Sequence, residues 1–166
     1  MARESAGALG QIAQNGGERR RDEPLTEWSD YAAINLVYGA LFAGVIYATR
    51  ERAREEPIAV HELVPLSAAT FALAKLVARE KVGSWVREPF VEHHDGHATP
   101  EGRGLRHALG ELVTCTRCVG AWSALGVVGL RLAYPETGRN VANVLAVSGA
   151  NDWLQAAFRW VCDRAD

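Results

Sequence analysis

The sequence predicts an all-α integral membrane protein, a bundle of about four transmembrane helices, and three observations carry that expectation. Tyr31 to Thr49 contains no Asp, Glu, Lys, Arg or His. At about 1.5 Å per residue it reaches across most of a hydrocarbon core about 30 Å thick. Further apolar stretches follow near 58–78, 113–134 and 140–161. The mean hydropathy of −0.08 looks soluble only because charge is crowded elsewhere: into the N-terminal tail, residues 50–56, and a connection over 80–111. A soluble, zinc-stabilised helical bundle is the competing fold, because three of the four stretches are interrupted by charged residues.

Taken in order, residues 1–27 read as a disordered tail, too polar to offset its ordering entropy and lacking the apolar segment of a cleavable signal. Residues 28–166 form the helical membrane domain. Its first span, 31–49, is bracketed by Asp30 and by Arg50, Arg52 and Arg54, with Trp28, Tyr31 and Tyr47 at aromatic-belt positions. The second, 58–78, has a neutral centre from Leu63 to Ala74, with His61 and Glu62 near one end and Lys75 near the other. The third, 113–134, carries Arg117 and Arg131 near its ends, where they are expected to snorkel to headgroups. A short amphipathic stretch, Leu105 to Leu112, leads into it from the cytoplasmic connection.

The fourth span, 140–161, holds Asp152 near its middle, which costs about 2.5–3.5 kcal/mol on insertion scales. Lys75 is the nearest basic partner by depth and Arg117 the other option. An internal ion pair is the preferred reading and a proton or ion pathway the functional one. Small residues recur four apart at Gly39 and Ala43, Ala40 and Gly44, Gly120 and Ala124, and Ala142 and Ala146. They are expected to pack helices within the chain, with homodimerisation through 39–44 as the second option.

Arg and Lys fall mostly in the tail, the 80–111 connection and the C-terminus, which a four-span topology puts on one side. The positive-inside rule therefore places both termini in the cytoplasm of a multi-pass cell-membrane protein. A net charge of −2 leaves no global positive field for nucleic acid. No phosphate-binding loop, dinucleotide fingerprint, HExxH or serine-nucleophile elbow is present, so an ordinary soluble enzyme is not expected.

Cys115 and Cys118, one helical turn apart at the mouth of the third span, form the sharpest chemical motif. Completed by Cys162 and by His107 or His97, they would suit tetrahedral zinc, which takes thiolate and imidazole ligands. Alternatively they are apolar packing residues, or an exposed redox pair with Arg117 between them favouring a thiolate. No second CxxC is available for a relay, and three cysteines point to a reducing compartment. His93, His94 and His97 flank Asp95-Gly96, a turn, so this tract reads as a solvated loop with metal binding as the sharper alternative. Arg87-Glu88-Pro89-Phe90 reads equally as an interfacial segment or as a corner where Arg87 caps helix carbonyls.

Taken together, Ala69-Thr70-Phe71, Lys81-Val82, Val86 to Phe90, Gly110 to Cys115 with Cys118, Gly120 and Trp122, and Val147 to Ala150 with Asp152 resemble the domain-of-unknown-function 1360 family. These are small bacterial membrane proteins, some of them sporulation-associated. The resemblance covers roughly residues 65 to 155 and implies an integral membrane helical protein. It supplies no established reaction, cofactor or catalytic residue. The long tail and the 93–97 insert depart from the pattern. The function expected is a non-enzymatic structural or assembly component, with the bilayer and other membrane proteins or itself as partners. A membrane thiol oxidoreductase using Cys115 and Cys118 is the alternative.

Overall fold

The structure, a computed structural model, describes residues 26–94 and 97–165. The expected tail lies almost wholly outside them, as do the side chains of His93, His94 and His97. The chain is mostly helical, in the order α1 (Trp28–Glu55), α2 (Leu63–Arg79), β1 (Val91–His94), β2 (His97–Pro100), α3 (Leu105–Thr114), α4 (Thr116–Ala133) and α5 (Pro135–Ala165). Single turns of helix at Val60–Glu62, Lys81–Gly83, Ser84–Arg87 and Glu88–Phe90 link them.

Two helical segments, Trp28–Glu55 and Val60–Arg79, are long and apolar enough to cross a membrane. A third qualifies if Leu105–Thr114 and Thr116–Ala133, bent by 84° at their junction, count as one span. The fourth expected span falls on α5, a single continuous helix that does not join that set, since Asn140, Asn143, Asn151, Asp152 and Gln155 interrupt its apolar residues.

Helix ends follow from local chemistry. Asp30 takes the Glu27 backbone N–H at 2.9 Å in a capping box that opens α1, and Pro57 follows its last turn. The middle of the bundle is built from small side chains. Leu66, Ala69, Val127 and Ala142 form one buried cluster and Ala74, Ala78 and Val119 another, holding α2, α4 and α5 together. Close backbone approach is what drives helix association where apolar surface alone gives little. At the α4–α5 hairpin a Cβ on Gly138 would stand 2.4 Å from the Arg131 Cα, so only glycine fits.

Large apolar side chains face outward. Leu36 is 74% exposed and Val144 71%; Val147, Leu154 and Phe158 are exposed to a similar degree, and Phe42 and Ile46 about half. α1 buries only Thr49 and rests on α4 through Tyr38 against Trp122, with ring centroids 5.1 Å apart. A water-facing exterior of a monomer rarely carries so much contiguous apolar surface.

Four expectations need correction. The fold is not wholly α: β1 and β2 pair as an antiparallel ribbon, Val91 opposite Pro100 and His94 opposite His97, where a solvated loop was expected. The third span is not one helix over 113–134, because Cys115 is extended (φ −95°, ψ 108°) and breaks it. Arg131 does not snorkel; it is 2% exposed and held by Glu62. Gly39, Gly44 and Gly120 have nothing within 4 Å of where a Cβ would stand, so packing within the chain explains Ala142 but not these glycines.

Candidate functional site

The thiol corner is made by the break between α3 and α4. Thr114 ends α3 by turning its hydroxyl back onto the carbonyls of Gly110 (2.8 Å) and Glu111 (3.2 Å), a local bond that competes with helix continuation. Cys115 then becomes the N-cap of α4, its Sγ accepting the Cys118 backbone N–H at 3.4 Å. The spacing therefore places the two cysteines at N-cap and third helical position, rather than on successive turns of one helix as expected. The Cys118 thiol donates to Cys115 Sγ at 2.9 Å. Cys115 is half-buried and Cys118 exposed.

The pair lines a cavity of about 500 Å³ between α1, α3 and α4, shared with Asn35, Tyr38, Glu111 and Trp122. Tyr31 bridges its rim, donating its hydroxyl to Glu111 Oε2 at 2.5 Å and tying α1 to α3. Among the described residues no group of three or more His, Cys, Asp or Glu side chains is arranged to hold a metal. His107 faces Glu111 at 3.9 Å, and Cys162 sits on the exposed end of α5. Arg117, also exposed, lies between the two thiols in sequence.

Asp152 meets Lys75, Nζ to Oδ2 at 2.9 Å, the partner expected from depth; Lys75 also holds Glu80 at 3.0 Å. Arg87 caps α2, donating to the carbonyls of Val77 and, at 3.0 Å, Glu80. Pro89 offers its carbonyl to Arg106 Nη2 at 3.1 Å, and the Phe90 carbonyl takes the Glu101 N–H at 2.9 Å. A Cβ at Gly110 would lie 2.6 Å from that Phe90 oxygen, so this corner is a packed joint between the ribbon and α3.

Sequence reasoning missed the opposite end of the bundle. There Glu62 takes Arg131 Nε (3.1 Å) and Nη2 (2.9 Å) and Arg139 Nε (2.9 Å), while Glu56 takes Arg139 Nη2 (2.9 Å). The signal was available: in an up-down topology the start of the second span and the end of the third share a level, and they carry opposite charges.

Comparison with known proteins bears on residues 65–158, which match the family model described as "Protein of unknown function (DUF1360)". Lys75, Arg87, Pro89, Phe90, Cys115, Cys118 and Asp152 fall inside that match, whereas Tyr31, Asn35, Tyr38 and Cys162 fall outside. "Sporulation protein YjcA" of Bacillus subtilis (strain 168) is 28% identical over 110 residues, taking in 56% of this chain and 93% of the relative. No solved structure matches.

Proposed function

The chain belongs to the DUF1360 family, and from that premise we propose that it is a non-enzymatic membrane component that assembles with other membrane proteins. Four spans, α5 included, with both termini in the cytoplasm complete the reading. The observation that carries it is the distribution of side-chain size: small residues such as Ala69, Ala74, Ala78 and Ala142 between the helices, Leu36, Phe42, Ile46, Val144, Val147 and Phe158 outside. Lipid is the solvent that tolerates such an exterior. The Lys75–Asp152 pair supports lodging α5 in the same layer, since it neutralises the costliest residue of that helix. The relative's printed name attaches that protein to sporulation; for this chain we propose a role in a membrane of a cell undergoing such differentiation.

Carbonate washing of membranes from cells expressing the full chain tests the proposal. The protein is expected in the pellet, with Cys115 and Cys118 shielded from an impermeant maleimide added outside intact cells. Release into the wash would remove the bilayer reading.

A further inference from the structure

The thiol pair and the cavity beside it are not used by an assembly role, and their chemistry is specific. We propose that the cavity between α1, α3 and α4 binds the ring of a lipophilic quinone, and that the bound quinone oxidises Cys115 and Cys118 to a disulfide.

A cavity of about 500 Å³ falls within the ordinary range for small-molecule sites, about 300–1,000 Å³. Its walls suit a planar diketone. Tyr38 and Trp122, already edge to face at 5.1 Å, offer aromatic surface to a ring, and the Asn35 amide supplies N–H donors for a ring carbonyl. A neighbouring cavity of about 340 Å³, lined by Val37, Leu105, Leu109 and Leu112 and sharing Trp122, is almost wholly apolar and suits an alkyl tail. The sulfurs stand 2.9 Å apart, so closing them to a bond of about 2.05 Å asks for less than 1 Å of movement.

The step balances within the pair and its oxidant. Both S–H bonds break and one S–S bond forms. The two electrons and two protons released pass to the quinone, whose two carbonyls become hydroxyls. Among the described residues no further thiol joins the pair, so each chain reacts once and waits for cytosolic thiols to reduce it. This is a switch in a non-enzymatic component rather than a turnover site, and it locks the corner between α3 and α4. The inference rests on the bilayer placement proposed above, because a membrane is what delivers a lipophilic oxidant.

The test is run on the full chain in detergent, so that a failure of bilayer insertion is read separately by the carbonate wash. One equivalent of decylubiquinone is added under argon. Expected is loss of both Cys115 and Cys118 from alkylation, read by mass, with one quinol formed per chain. Cys162 remains alkylatable. Ala121→Phe fills the cavity from α4; it should block oxidation by quinone yet leave oxidation by diamide, which needs no site, unchanged. Asn35→Phe does the same from α1. Wild-type thiols that stay alkylatable in the presence of quinone overturn the proposal. So does equal oxidation by quinone in wild type and in both filled variants.

Discussion

The two ends of the bundle solve the same problem in opposite ways. Where α2 begins and α4 ends, four charged side chains close on one another, with Arg131 almost completely buried against Glu62. Where α1 begins and α4 starts, the helices splay, a cavity opens, and the joint is held by a phenol–carboxylate bond and a pair of thiols. The first end is a lock whose parts have few alternatives. The second keeps space and reactive groups, which is where ligand chemistry belongs. A bundle built this way concentrates stability at one pole and adaptability at the other.

That contrast is broken most severely at the lock. Arg131→Ala leaves the buried Glu62 carboxylate with Arg139 as its remaining cation and is expected to cost about 2–5 kcal/mol, read as a fall in the thermal unfolding midpoint in detergent. Replacing Arg131 by Met together with Glu62 by Leu should recover most of it. An unchanged midpoint in Arg131→Ala would show that the network is ornamental. Next comes Gly138→Ala, expected to cost about 1–3 kcal/mol because the new methyl meets α4 backbone rather than a side chain that can move.

At the open pole, Cys118→Ala should leave stability nearly unchanged and alter reactivity. The donated S–H at 2.9 Å is lost, and with it the partner Cys115 needs to close a disulfide. Diamide, which joins the two thiols in the wild type, is therefore expected to leave Cys115 open to alkylation by iodoacetamide. Protection of Cys115 in the variant would mean that another thiol is its oxidation partner. The smallest effect belongs to Gly39→Leu, which points into open space and should change monomer stability by less than about 0.5 kcal/mol. A large loss there would place another helix against that face.

Much of this molecule was legible in its residues, and unevenly so. α1 follows from uninterrupted hydropathy, α2 from its neutral centre between Leu63 and Ala74, and the Lys75–Asp152 pair from Lys75 being the basic residue nearest to Asp152 in depth. The Arg87 cap was one of two readings its sequence allowed. The ribbon escaped because His93, His94, Asp95, Gly96 and His97 give a strong turn signal but little β-branched character to mark flanking strands. The kink escaped for a different reason. No proline or glycine lies between Leu112 and Val119, and only the habit of a threonine hydroxyl to bond the preceding turn marks where the helix stops. The cavity at the thiols depends on that kink and on α1 lying across it, so pairwise spacing of the cysteines carried no trace of it.

Nitroxide labels placed singly at Phe42 on α1 and Val144 on α5, in cysteine-free protein reconstituted into liposomes, test the central claim most directly. If lipid is the solvent for both helices, each label collides more often with dissolved oxygen than with a water-soluble nickel chelate. Collision dominated by the nickel chelate at both positions would contradict it.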